Sequence, residues 1–148
     1  MSISESERRE QLELIAAANR RMAEQAKAPE WYHWTLGVLI GGLCAAQELP
    51  MPWPAAYYPV ALIGMVWLMR AYRRHTGMWI PGYRAGRTRW VAFSAAGIGG
   101  LIFIAAIVIT RKTSLHGVYL AGGALIAIAG TLRGYAWEKA YRRDLGVE

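Results

Sequence analysis

Very few side chains that could do chemistry occur in the apolar parts of this 148-residue sequence. His33 and Glu48 stand at the two ends of one apolar stretch, and His116 stands at the start of another. An ionisable group inside a membrane costs about 3 kcal/mol or more, so it is usually retained for a function. Glu48 is therefore the candidate ion-binding residue, although a carboxylate that faces water at the membrane surface is the simpler interpretation.

The histidines and the single cysteine do not match a pattern for metal binding or nucleophilic catalysis. No His/Glu pair has the i,i+4 spacing of a helical metal site, and His116 is predicted on the opposite side of the bilayer from His33 and His75. One cysteine, Cys44, excludes an internal disulfide. Its apolar neighbours predict a small buried residue rather than a reactive thiol. We therefore predict no catalytic residue, no metal site and no cofactor.

The most distinctive polar segment is the loop at residues 70–89, which carries six arginines and no acidic residue. Tyrosine, tryptophan and glycine alternate with these arginines. Guanidinium groups around glycine-rich turns can bind phosphate in bidentate fashion, and a basic cluster beside a membrane attracts anionic lipid. The residues predicted to bind a lipid or phosphate group are Arg73, Arg74, Arg84, Arg87 and Arg89. Retention of positive charge on the cytoplasmic side would also explain these arginines. Nucleic acid is not a predicted partner, because a patch pressed on the membrane is poorly placed to follow a groove.

Four apolar stretches are long enough to position these residues in a membrane. The hydrocarbon core of about 30 Å needs roughly 17–25 helical residues. The predicted spans are residues 32–49, 54–69, 90–110 and 115–132. The second is the shortest and contains Pro59, which should kink or end its helix. A hydrophobic fraction of 55% over the whole chain is also too high for an ordinary soluble protein of this size.

Basic residues are concentrated in three segments: residues 1–29, the loop 70–89 and the tail 133–148. The links between spans one and two and between spans three and four hold few or none. With an even number of spans all three basic segments fall on one side, which the positive-inside rule makes cytoplasmic. We therefore predict a multi-pass protein of a bacterial inner membrane, with both termini in the cytoplasm.

Small residues on three of the four spans predict how the helices pack. Lipid gives helices no hydrophobic reason to associate, so glycines that allow close backbone approach matter most. The predicted helix-packing residues are Gly37, Gly41, Gly99, Gly100 and Gly123. Most of them are expected to serve packing within one chain, which leaves one face for a second copy or a partner subunit.

Two similarities within the sequence suggest a repeated hairpin. Ile-Gly-Gly-Leu occurs at residues 40–43 and 98–101, and Ala-Tyr-Arg-Arg occurs at residues 71–74 and 140–143. Parallel repeats of this kind occur in some transporters. A shared composition of small-residue spans and arginine-rich ends is the other explanation.

The first segment predicts a helix that begins at a capping box formed by Ser4 and Glu7. Its apolar stripe is thin and has Asn19 in the same row. Three interpretations stay open: a short coiled coil, an anchor on the membrane surface, and a helix that lies against the bundle or extends into the cytoplasm.

The sequence therefore predicts an all-α integral membrane protein: a four-helix bundle of two hairpins (residues 30–148) after a cytoplasmic amphipathic helix (residues 1–29). The favoured function is non-enzymatic. The chain would be an accessory or assembly subunit, or a homo-oligomer, whose basic loop contacts anionic lipid headgroups or an acidic partner. Two alternatives stay open: a small dimeric transporter or channel with a pathway between the hairpins, and an enzyme that binds or modifies lipid headgroups.

Overall fold

A computed structural model of the chain describes residues 4–77 and 86–147, and structural statements below refer to these residues. Five α-helices and no strand occur in them, so the prediction of an all-α fold is confirmed. The helices are α1 (Glu5–Gln25), α2 (Glu30–Ala45), α3 (Trp53–Thr76), α4 (Arg87–Thr113) and α5 (Val118–Asp144). A 3₁₀ turn at Ala46–Glu48 extends α2.

Helices α2 and α5 form the central pair of the fold. Helix α3 packs on α2, and α4 packs on α5, so that the order across the layer is α3, α2, α5, α4. Each helix runs antiparallel to its neighbour. One contact joins the ends of each pair: Trp31 with Trp67, Arg87 with Asp144, and Gly117 with Glu48.

The antiparallel arrangement gathers the basic residues at one end of the layer, which we call the basic end. The start of α2, the end of α3, the start of α4 and the end of α5 all lie there. Its basic residues include Arg70, Arg73, Arg74, Arg87, Arg89, Arg133, Lys139, Arg142 and Arg143. The opposite end has only Arg111 and Lys112 among the described residues. The charge asymmetry along the sequence is thus an asymmetry between the two ends of the fold.

Two helices, α4 and α5, are long and apolar enough to cross a membrane. Their most apolar 18-residue windows have mean hydropathies of 2.4 and 1.2, and only 6% and 22% of these windows are buried. A core helix of a soluble protein would be mostly buried, whereas most residues of α4 are exposed or only partly buried.

Four membrane spans are not confirmed. Helix α2 has 16 residues, about 24 Å at 1.5 Å per residue, which is shorter than the hydrocarbon core. Helix α3 has 24 residues, but Pro54, Pro59 and neighbouring tyrosines lower the hydropathy of its first half. By length and apolar composition, α4 and α5 are therefore the two described helices that could cross a membrane.

The backbones of α2 and α5 approach closely at glycines. A Cβ on Gly37 would lie 2.6 Å from both the Ala127 carbonyl oxygen and Thr131 Oγ1, and a Cβ on Gly41 would overlap the Gly123 carbonyl oxygen. The three predicted packing residues on α2 and α5 therefore stand at the centre of the fold.

The other two predicted packing residues, on α4, are in a different situation. A Cβ added to Gly99 or Gly100 would meet no heavy atom within 4 Å. The same is true of Gly97, two residues before Gly99. These glycines are not needed for packing within the described part of one chain.

Helix α1 begins as predicted, at a capping box. The Ser4 backbone N–H donates to Glu7 Oε2 at 2.9 Å, and the Glu7 backbone N–H donates to Ser4 Oγ at 3.3 Å. This bond to the Ser4 backbone is the main reason why the pKa of Glu7 is below its usual value. Asn19 Nδ2 donates to the Leu145 carbonyl oxygen at 3.2 Å, which ties α1 to the end of α5.

The two Ala-Tyr-Arg-Arg segments end their helices alike. Tyr72 and Tyr141 are both buried, at 6% and 3% exposure. Gly77 and Gly146, at matching positions after them, have positive φ angles of 70° and 68°. Glycine is the residue that adopts this left-handed conformation without a steric penalty. The shared geometry supports the hypothesis of a repeated hairpin.

Candidate functional site

The arginines predicted to bind lipid or phosphate are exposed at the basic end. Arg73 and Arg74 lie on the last turns of α3, and Arg87 and Arg89 lie on the first turn of α4. The Arg89 guanidinium stands 6.0 Å from the centre of the Trp90 ring. Arg84 lies outside the described residues. The four described arginines do not line a common cavity.

A cavity of about 270 Å³ lies at the basic end between α2 and α5, and we call it the α2–α5 cavity. Its wall is mostly apolar and includes Leu36, Ile40 and Gly130. Tyr72 of α3 and Ala95 of α4 close its sides. The polar side chains of the wall are Tyr32, His33, Tyr72, Arg133 and Glu138.

His33 and Glu138 face each other across the α2–α5 contact. His33 is only 6% exposed, and its Nε2 atom lies 3.5 Å from Glu138 Oε2. This Nε2 atom makes no hydrogen bond to the described residues. Gly134 makes room for the imidazole, because a Cβ at this position would collide with His33 Nδ1. The Tyr135 ring packs 4.7 Å from the imidazole centre. The pair is thus fixed by close packing on both helices.

Arg133 is a positioned cation in the wall of the α2–α5 cavity. Its Nη1 donates to Ser94 Oγ at 3.0 Å, and Ser94 Oγ donates to the Val91 carbonyl oxygen at 2.8 Å. Among residues 4–77 and 86–147, no carboxylate lies within 4.0 Å of this guanidinium. A hydroxyl of α4 therefore orients a charge that has no counter-ion.

Tyr72 ties the α1–α2 connector to α3 beside the same cavity. Its hydroxyl donates to the Ala26 carbonyl oxygen at 3.0 Å. Burial is the main cause that raises the pKa of Tyr72 to about 12, and the nearby Tyr32, Tyr141 and Glu138 add to it. Tyr72 is therefore a neutral hydrogen-bond donor at physiological pH.

We expect Tyr72→Phe to loosen the connector by about 1 kcal/mol, because the Ala26 carbonyl loses a buried donor. The pKa is raised in the folded state, so this stabilisation is complete below pH 10 and is lost as the pH rises towards 12. Hydrogen exchange at residues 26–28 and the absorbance of tyrosinate would measure both effects. Tyr135→Phe is the control, since its hydroxyl makes no hydrogen bond within the described chain, and an equal effect there would contradict the prediction.

Glu48, the candidate ion-binding residue, caps a helix in this structure. Its Oε1 accepts from the Gly117 backbone N–H at 2.6 Å, and its Oε2 accepts from the Tyr119 backbone N–H at 3.2 Å. A helix N-terminus has unpaired N–H groups and a partial positive charge, both of which favour a carboxylate. Ion binding by Glu48 stays a prediction, but the structure already gives its carboxylate a role.

A second carboxylate caps the start of α4 in the same way. Asp144 Oδ2 accepts from the Arg87 backbone N–H at 3.0 Å. Gly86, the residue before Arg87, has a φ of 133°, and a Cβ on Gly86 would collide with Asp144 Oδ2. Glycine is thus required at this turn both for its conformation and for space.

Comparison of the chain with protein-family models, with curated proteins and with solved structures found no match. The interpretation of the site therefore depends on its own geometry. No cluster of three or more His, Cys, Asp or Glu side chains suited to a metal ion occurs in residues 4–77 and 86–147.

No sequence pattern distinguishes Arg133 or Glu138. Arg133 belongs to the basic tail that is predicted to orient the protein, and no spacing pairs Glu138 with His33. The available signal is Gly134, a small residue one position after Arg133, which marks a place where another helix comes close.

Proposed function

We propose that this protein is a small multi-pass membrane protein that acts without catalysis, by associating with a second copy of itself. Its basic end would lie at the cytoplasmic surface, where basic residues are retained and anionic lipid is available. The observation that carries the proposal is the outer face of α4. This face is apolar, exposed and built from small residues.

The outer face of α4 has the composition of a helix-packing surface. Ala96, Gly97 and Gly100 are exposed there, and Ile104 beside them is 57% exposed. Small residues four apart let two backbones approach in a membrane. The glycines of α2 and α5 already fill this role inside the chain, whereas those of α4 have open space next to them. A second copy is the occupant we propose, because it would bury the same face twice.

The exposed apolar side chains of α2 and α3 support a crossing by all four helices. Val38 on α2 is 60% exposed and Ile63 on α3 is 70% exposed. With its 3₁₀ extension, α2 covers residues 30–48, about 28 Å of helix, which is close to the thickness of the hydrocarbon core. The described arginines, together with Arg84, would then contact anionic headgroups or an acidic partner.

The test of self-association uses Gly100→Ile in the purified full chain. A Cβ at residue 100 meets no atom of the described residues within 4 Å, so the fold should persist while the approach of a second helix is blocked. We expect at least a tenfold weaker dimer, which corresponds to about 1.4 kcal/mol. Chemical cross-linking and single-molecule bleaching in nanodiscs would measure the dimer fraction.

Ala105→Ile is the matched control, since it enlarges an exposed residue of the same helix on another face. If both variants dimerise as the wild type does, or if the wild type is a monomer, self-association through α4 is wrong. Co-purification of a different membrane protein on this face would indicate an accessory subunit instead. The transport alternative has less support, because Glu48 is engaged at the start of α5.

A further inference from the structure

The unpaired charge of Arg133 points to a ligand in the α2–α5 cavity. Arginine carries five N–H donors in a rigid fork that fits a phosphate or a carboxylate. The bond to Ser94 occupies one of them and holds the guanidinium in place. The other donors have no acidic partner among residues 4–77 and 86–147. An anionic group is therefore the chemistry that this part of the cavity fits.

The remainder of the cavity fits hydrocarbon. Leu36, Ile40 and Gly130 continue the wall from Arg133 towards the middle of the helices. The volume of about 270 Å³ exceeds the roughly 150 Å³ that holds one benzene molecule in an engineered cavity. A section of one acyl chain fits this space, and a whole lipid does not.

The depth of the site agrees with a lipid. Arg133 lies on α5 directly after the last residue of the predicted span 115–132, at the basic end of the layer. Trp137 lies one turn further out and stacks on Tyr141 with 5.5 Å between the ring centres. Aromatic side chains of this kind prefer the level of lipid headgroups. The charged and apolar parts of the cavity are thus ordered as the head and tail of a membrane lipid are.

We propose that the α2–α5 cavity binds one acyl chain of an anionic phospholipid whose phosphate pairs with Arg133. This inference rests on the proposed function in one respect, the location of the helices in a membrane. Glu138 also lines the cavity, but its carboxylate faces His33. It is five residues from Arg133, about 7.5 Å along the helix axis. The loop arginines would attract anionic lipid in general, whereas Arg133 would hold one molecule.

Native mass spectrometry of the full chain in mild detergent tests the proposal. The chain is titrated with phosphatidylglycerol or with phosphatidylcholine, and bound lipids are counted per chain. We expect one phosphatidylglycerol to be retained preferentially. Arg133→Gln should weaken its binding about tenfold, or about 1.4 kcal/mol, and leave phosphatidylcholine unaffected. Arg111→Gln is the matched control, because it removes the same charge from an exposed site at the opposite end of the fold and should bind as the wild type does.

A second pair of variants tests the apolar part. Gly130→Ala places a Cβ 3.7 Å from Gly37 Cα, an ordinary contact, and should bind as the wild type does. Gly130→Leu places a larger side chain in the cavity and should weaken the binding of phosphatidylglycerol about as much as Arg133→Gln does. Thermal unfolding checks that each variant is folded. Arg133→Lys keeps the charge but not the forked guanidinium, and its affinity for phosphatidylglycerol should lie between those of the wild type and Arg133→Gln.

Three results would overturn the proposal: wild-type binding by both Arg133→Gln and Gly130→Leu, an equal loss in Arg111→Gln, or no preference of the wild type for phosphatidylglycerol. Displacement of the lipid by excess inorganic phosphate would identify a free-phosphate site and would also contradict it. Dimerisation through Gly100 is measured separately, so a failure of either proposal can be recognised without the other.

Discussion

Gly41→Val should separate α2 from α5 and unfold the chain well below the wild-type temperature. A Cβ on Gly41 would overlap the Gly123 carbonyl oxygen and lie 3.0 Å from the Ala127 Cβ. Overpacking usually costs about 1–3 kcal/mol. We expect the upper end of this range or more, because the obstacle is backbone and cannot turn away as a side chain can. Cys44 is 1% exposed beside this contact and reports on its opening. The rate of thiol labelling at Cys44 and the thermal unfolding midpoint are therefore the measurements.

Gly99→Val provides the control for this experiment. It makes the same chemical change in the middle of another helix, where a new Cβ meets no atom within 4 Å. The change in helix propensity is the same in both variants. Equal labelling rates and equal unfolding midpoints would contradict the close approach of α2 and α5.

Glu48→Ala should release the first turn of α5. The carboxylate accepts from the backbone N–H groups of Gly117 and Tyr119, and Gly117 at the N-cap position has no side chain to replace it. Each unpaired buried donor costs about 1–3 kcal/mol, and the helix dipole loses a compensating charge. Hydrogen exchange at residues 117–121 should increase at least tenfold, together with a lower unfolding midpoint.

Two further variants decide what Glu48 does. Glu48→Gln keeps one acceptor oxygen and should retain part of the protection. Gln47→Ala removes bonds to the Leu43 carbonyl and the Tyr58 hydroxyl without touching α5, and should leave residues 117–121 unchanged. If these amides stay protected in Glu48→Ala, the cap is not formed. The carboxylate would then be available to bind an ion, as the sequence analysis predicts.

The helices could be predicted from the sequence because apolar stretches and the positions of glycine and proline depend only on neighbouring residues. The predicted span 90–110 lies within α4 (Arg87–Thr113), and 115–132 overlaps slightly more than the first half of α5. The helices continue beyond the apolar residues on the basic side, to Thr76 in α3 and to Asp144 in α5. Alanine, lysine, arginine and glutamate are good helix formers, so the predicted cytoplasmic tail begins as helix.

The candidate site was not accessible because it depends on which helices touch. His33 and Glu138 belong to opposite ends of the sequence, and they meet only because Gly37, Gly41 and Gly123 bring α2 against α5. Glycine spacing predicts that a helix packs, but it does not name the partner. For the same reason the sequence assigns equal roles to the glycines of α2 and α4, which have opposite environments.

The helix starts of this protein have a consequence for the order in which it is made. Helix α5 is capped by Glu48, which is synthesised long before it, whereas α4 is capped by Asp144 at the far end of the helix that follows. The start of α4 is therefore synthesised before the carboxylate that accepts its first amide N–H. The turn between Gly86 and Arg87 closes only when the last turn of α5 has been translated and has folded back. The hydrogen bond between Asp144 and Arg87 thus forms only in the completed chain.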